Sequence, residues 1–281
     1  MSIRLGQNDY GKSRVRLLRV THREDKHEIK ELTLGIRLEG DFRTAYTEGD
    51  NSKILPTDTM KNTVYALAKK HPMGATEAFC GILIEHFLGR NPQVERVHLH
   101  AVEHLWARIT RKGKPDPYSF VRTGEEKRTA LVTGTRAATT IRAGLKNLIA
   151  MKTTKSAFEG FIRDSYTTLR EDRNRILATA IRADWIYGHA KLDFDRTWTD
   201  VRRALLETFA EHDSLSLQHT LYDMGKAVLE QFDAIREIRL SLPNKHYNLV
   251  DLSPLGMTNP GEIFLPTDEP HGLIEATLCR E

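Results

Sequence analysis

Between Leu32 and Leu38 the chain alternates without a break: Leu32, Leu34, Ile36 and Leu38 fall on one side, and Thr33, Gly35, Arg37 and Glu39 on the other. A period of two marks a half-buried strand. Residues 14–22 alternate more loosely and end in polar residues, so the two segments are predicted to pair as a hairpin. Past a polar loop, PTDTMKNT opens a helix that Thr57 or Asp58 can cap, with Met60, Val64, Leu67 and Ala68 as its stripe and His71-Pro72 as its end. A second helix at about 76–88 is apolar on most sides (Phe79, Cys80, Ile82, Leu83, Ile84, Phe87). It is expected to be largely buried, with Gly89 as its C-cap. Strands follow at 94–110 and, after a turn at 114–117, at 118–122.

From Arg128 the order recurs. Strand-like segments at 129–133 and 139–151 lead through a long polar connection to another at 176–187. Two helices then carry the stripes Trp198, Val201, Leu205, Phe209 and Leu217, Leu221, Met224, Val228, and strands at 235–242, 246–252 and 274–280 close the chain. The halves share no obvious sequence, so the repeat is one of pattern. It predicts an α+β protein of two tandem units, residues 1–127 and 128–281, each an antiparallel sheet with a helix pair on one face. The opposite face would be bare. Subunits closing into a ring or barrel would cover it, so a symmetric oligomer is expected.

Composition narrows the partners. The 281 residues are 40% hydrophobic and 28% charged, ordinary for a globular chain, and the formal charge of +4 is spread among interleaved acids and bases such as REDKHEIKE at 23–31. No basic run suggests a nucleic-acid arm, whereas a small anion suits the balance. Cys80 and Cys279 lack metal-type spacing, which points to a reducing compartment. No apolar run is long enough for a membrane span or secretory signal, and Thr277–Glu281 carry no peroxisomal address, so the expected location is cytoplasmic.

The sharpest local match to a chemical motif is His100, Glu103 and His104, an H-x-x-E-H with His98 just upstream. On a helix it would make a zinc hydrolase site. Residues 97–109 alternate instead, and in a strand His100 and His104 lie about 13 Å apart, too far for one ion. The four-residue spacing of 97, 101, 105 and 109 leaves a helix open, so zinc stays the alternative. The glycines fit no nucleotide loop, and no G-x-S-x-G is present. In SLPNKHYNLVDL (241–252), Asn244 and His246 would share one side of a strand, an orienting amide beside a group that moves protons near neutrality. Pro243 places that segment at a strand start or edge. Other polar residues sit beside turns or helix starts: Lys12, Thr57, Asp58, Arg175 and Gln218. With Phe158, each has a plain structural explanation by itself.

Seven blocks taken in order change that reading. YGKSRVRLLRV, TDTMKNTVY, SFVR with EEKR, SAFEGFIRDSYTTLRE, DRNRILAT, LQHTLYDM and SLPNKHY resemble the urate oxidase (uricase) family over nearly the whole chain. The resemblance implies a tunnelling fold, a homotetramer around a tunnel with active sites at subunit interfaces, and a reaction without metal or organic cofactor. It implies that Phe158 stacks on urate, Arg175 pairs with its anionic edge, Gln218 bonds the opposite edge and Leu217 offers its backbone N–H. Thr57 with Asp58 would come from a neighbouring subunit. Lys12, Thr57 and His246 would form a proton relay, with Asn244 and Thr57 holding dioxygen. A purine-binding module without turnover is the further alternative.

Overall fold

The computed structural model describes residues 2–189 and 192–281. Its elements run β1 (Tyr10–His22), β2 (His27–Gly40), α1 (Arg43–Thr47), α2 (Thr57–Lys70), α3 (Thr76–Arg90), β3 (Val94–Arg111) and β4 (Lys114–Thr135). They continue with β5 (Thr139–Lys152), β6 (Leu177–Tyr187), α4 (Phe194–Glu211), α5 (Leu217–Gln231), β7 (Ile235–Leu249), a 3-10 turn (Ser253–Leu255) and β8 (Phe264–Cys279). The eight strands follow sequence order in one sheet. Two strands, a helix pair and two strands therefore occur twice, as the pattern predicted. The chain divides into two compact units, Met1–Gly144 with Ile186–Trp198, and Leu145–Trp185 with Thr199–Glu281.

In the first unit, β2 pairs with β1 and β3, and β3 with β4, all antiparallel. Leu32, Leu34, Ile36 and Leu38 are at most 1% exposed, as are Val97, Leu99 and Ala101 of β3. The core also takes Met60, Val64, Leu67 and Ala68 of α2 and Phe79, Cys80, Leu83, Ile84 and Phe87 of α3. Each such large side chain contributes about 1.5–3 kcal/mol on burial. In the second unit β7 and β8 pair antiparallel, and the predicted stripe Leu217, Leu221, Met224, Val228 of α5 is buried. Val201, Leu205 and Phe209 of α4 are buried as well.

Several details depart from expectation. Neither Thr57 nor Asp58 caps α2: Pro56 holds the N-cap position, and Asp58 instead accepts from Lys61 and Asn62. Gly89 lies inside α3, which ends at Asn91, where the Asn91 amide donates to Phe87 O and Arg136 donates to the terminal carbonyls. Ile82 is only half-buried. The segments 118–122 and 129–133 are one strand, β4, pairing with β3 on both sides of a register shift. Pro243 sits within β7, opposite Leu273, and the ladder breaks just after it, where Asn244 faces Gly272 but His246 faces Thr267. A bulge tolerates the missing proline donor as a strand end would.

Candidate functional site

The first cluster of candidate residues forms where β1 meets the start of α2. Tyr10 begins β1; its hydroxyl donates to Leu55 O (3.2 Å) and accepts from Leu55 N–H (2.8 Å), and its ring packs edge-on against Phe42 at 4.8 Å. That clamp holds the residues leading into α2 against β1. Gly11 follows, and a Cβ there would lie 1.8 Å from Ile36 O, so only glycine permits this approach. Lys12 pairs with Ile36, and a bulge comes next, with Arg14 at φ 60°. Lys12 and Thr57 are both half-buried. Lys61 chiefly, then Asn62 and the charge of Lys12, hold the exposed Asp58 below the usual carboxylate range, so it is ionised. Lys12 and Thr57-Asp58 are thus brought together in the first unit.

The second cluster hangs on one short segment, 155–158. Arg175 N–H donates to Ser156 O (2.8 Å), Ala157 N–H to Ser214 O (2.7 Å), and Phe158 and Asp172 exchange backbone bonds of 2.7 and 3.2 Å. Ser214 stands just before α5, and its hydroxyl accepts from Thr220 at 2.7 Å. The Arg175 loop, the Phe158 ring and the first turn of α5 therefore share one frame. The Arg175 guanidinium lies 5.1 Å from the Phe158 ring centre, and Phe161 stacks against that ring at 5.0 Å and 12°. Arg175 Nε is buried with no hydrogen-bond partner. Burial lowers the guanidinium's pKa against the opposing pull of Asp172, which reflects a cation held where water solvates it poorly.

Phe158, Asp172, Arg175, Asn244 and His246 line one cleft of 230 Å³. That is below the roughly 300–1,000 Å³ of drug-sized pockets, so a small ligand fits it. An unpartnered planar cation beside an aromatic face suits a flat anion. At the start of α5, Ser216 caps the helix by accepting from His219 N–H. Leu217 is 2% exposed and packs into the core, leaving its backbone N–H as a first-turn donor with no intrahelical acceptor. Gln218 is exposed on the same turn, but it borders a separate groove between α5 and β8 and is not among the residues that line the cleft.

The zinc alternative does not survive. His98, His100, Glu103 and His104 all lie on strand β3. His98 bonds Thr133 and Glu39, His104 bonds Thr33, and Glu103 accepts from Thr76 and pairs with Lys30. His98 and His104 share a face of the strand but lie about 20 Å apart along it and have separate partners, so they do not converge on one ion. Tyr10 and Asp172 are the site-shaping residues that spacing alone missed, since their partners lie far away in sequence or in an irregular loop.

An α+β fold in which an arginine, an aromatic face, an amide and an imidazole line one small cleft defines a protein suited to bind a small flat anion. Comparison with known proteins sharpens this. The uricase family profile matches residues 8–133 and 141–275. The uricase of Arthrobacter globiformis is 46% identical over 277 residues, covering 99% of this chain and 90% of the relative. That of Aspergillus flavus is 40% identical over 289 residues, covering 96% and 95%. The crystal structure of the Arthrobacter globiformis uricase superposes with a TM-score of 0.95 at 45% identity, covering 100% of this chain and 96% of that one. The chain belongs to the uricase family of oxidoreductases.

Proposed function

We propose that the protein oxidises urate with dioxygen and water to 5-hydroxyisourate and hydrogen peroxide. The observation that carries this is the buried, unpartnered Arg175 Nε beside the Phe158 face. Urate is flat, anionic and electron-rich. Phe158 stacks on it, Arg175 takes its anionic edge through two parallel N–H bonds, and Gln218 with the Leu217 N–H takes another edge. Lys12 removes a proton and passes it through the Thr57 hydroxyl to His246. Asn244 with Thr57 holds dioxygen above the ring. The deprotonated ring reduces dioxygen itself, so the protein supplies a base, an orientation and exclusion of water, and needs no cofactor.

Lys12, Thr57 and Asp58 belong to one compact unit; Phe158, Arg175, Leu217, Gln218, Asn244 and His246 belong to the other. The proposal completes each site with the first cluster of one subunit and the second cluster of a neighbour, in a homotetramer enclosing a tunnel. The sheet supports it: Leu18, Val20, Ile109, Val121, Leu131, Ile149 and Met151 are 39% to 58% exposed, apolar strand residues that a partner would cover. The tandem division into residues 1–127 and 128–281 belongs to the same proposal. A cytoplasmic location accords with two unpaired cysteines, and no helix among the described residues is long and apolar enough to cross a membrane.

The test is loss of urate absorbance with oxygen uptake by exhaustively chelated protein. Tight binding of urate without turnover would leave only the purine-binding alternative. Chains carrying Lys12→Met and chains carrying Arg175→Ala, each nearly inactive alone, are expected to regain activity when unfolded and reassembled together. No recovery refutes the shared site.

A further inference from the structure

Where α4 ends and α5 begins, three ligand-type side chains converge that the reaction above does not use. His212 follows α4, its N–H donating to Thr208 O at 3.0 Å. His219 and Asp223 stand four residues apart on α5 and so share a helix face. His212 Nδ1 is 2.9 Å and His219 Nε2 3.6 Å from Asp223 Oδ2, and the two rings meet edge-on at 4.5 Å. One ligating atom from each of the three lies within 4.8 Å of the others. Bonds of about 2.1 Å to a tetrahedral ion require ligand atoms about 3.4 Å apart. The separations of 2.9 and 3.6 Å bracket that figure.

We infer that His212, His219 and Asp223 form a binding site for one divalent transition-metal ion, of the zinc, cobalt or nickel kind, that clips the end of α4 to the start of α5. Two imidazoles and one carboxylate are the donor set of such ions, whereas magnesium and calcium take oxygen. Hydrogen bonding within the protein leaves the cluster unfinished. Asp223 can accept from His212, but His219 at 3.6 Å is beyond a normal bond, and His212 Nε2 and His219 Nδ1 are buried without partners. Lys152 approaches this turn through the His212 carbonyl rather than through the ring.

The clip would be structural. The turn it closes, 213–216, contains Ser214, which ties the 155–158 segment to α5, and it precedes Leu217 and Gln218. The site stands apart from the urate reading, because it shares no ligand with that chemistry: chelated protein can turn over urate whether or not the metal site exists.

The experiment uses chelated full-length protein titrated with Co²⁺ and with Zn²⁺, followed by the visible cobalt absorption, by calorimetry and by Tm. One equivalent per chain is expected, with a tetrahedral cobalt spectrum and a raised Tm. His219→Ala and Asp223→Asn are expected to weaken binding by about a hundredfold or more, since removing a ligand costs more than the 10–100-fold typical of outer partners. Both are also expected to abolish the Tm rise. His22→Ala, which removes the other close histidine pair (3.0 Å to His27), is expected to change neither. Absence of stoichiometric uptake overturns the inference, as does uptake that survives both α5 substitutions or falls with His22→Ala.

Discussion

Replacing Arg175 by lysine keeps the charge in the cleft and removes only the fork. The surrounding structure predicts a clean change, because the main chain at 175 is held by Ser156 O at 2.8 Å and Phe158 by its own exchange with Asp172, independently of the side chain. What is lost is one of two charge-assisted bonds to the anionic edge, together with a planar partner above Phe158. A hydrogen bond to a charged group contributes about 1.5–3 kcal/mol. At about 1.4 kcal/mol per tenfold, this predicts binding weakened by roughly 10–150-fold. The lysine stem also leaves the Phe158 face less well covered, which favours the upper half of that range. The assay is the dissociation constant for xanthine, used as a purine ligand that should not turn over, together with KM and kcat for urate. Most of the loss is expected in binding and KM, and kcat is expected to fall less. Arg173→Lys is the control: that side chain is exposed and pairs with Glu159 outside the cleft, so it is expected to leave both constants unchanged. Unaltered xanthine affinity in Arg175→Lys would show that the anionic edge lies elsewhere.

Other consequences are as definite. Lys12→Met is expected to reduce kcat by a hundredfold or more, the usual worth of positioned proton transfer, with xanthine binding within about threefold of wild type; equal losses in both would make Lys12 a binding residue. Gly11→Ala forces Ile36 O to move, and a Tm lower by several degrees with a parallel loss of turnover is expected; wild-type values for both would contradict the close approach. Glu31 accepts from Arg16, Trp106 and Arg122, and these partners outweigh burial to hold its carboxyl below the usual range, as His98 and Arg96 do for Glu39. A carboxyl depressed in the folded state adds stability above its unfolded value and loses it as pH falls through the folded one. Urea midpoints are therefore expected to drop below about pH 4.5, less steeply in Glu31→Gln, and an identical slope in that variant counts against the network.

What the sequence made legible was whatever repeats locally. The alternation at 32–38 and the stripe Leu217, Leu221, Met224, Val228 predicted burial residue by residue, because one face of each element lies against the core. Polar stretches that stay in the sheet were illegible. RTGEEK at 122–127 reads as a loop, yet β4 runs through it, turning at Gly124 (φ 101°) while β3 keeps its partners on either side. The first part of β8, from Phe264, is nearly all exposed and shows no face to detect. Helix α1 is five residues long with none buried, so it leaves no stripe. The block resemblance picked out residues whose role here is architectural as readily as site residues: Arg122 of SFVR bonds Glu31 and stacks on Trp106, and Arg128 of EEKR neutralises Glu77, which is fully buried.

The candidate site divides along the same line. Phe158, Arg175 and the α5 turn stand out as contiguous blocks, although the backbone bonds that bring them together join distant residues: Phe158 to Asp172, Arg175 to Ser156 and Ala157 to Ser214. The pairing of Lys12 with Thr57 and Asp58 depends on Tyr10 reaching Leu55 across 45 residues, which no spacing encodes. The cleft in the second unit holds a cation, an aromatic face, an amide and an imidazole. It offers an anion a place to sit, and its lysine, Lys245, is ion-paired with Asp268, so the proposed relay draws on Lys12 of the first unit. The first unit holds Lys12 and Thr57, both half-buried, with Lys12 close enough for its charge to act on Asp58. In the proposed homotetramer, sites assembled between copies of the chain would join these two clusters and cover the apolar side chains that the strand faces leave bare.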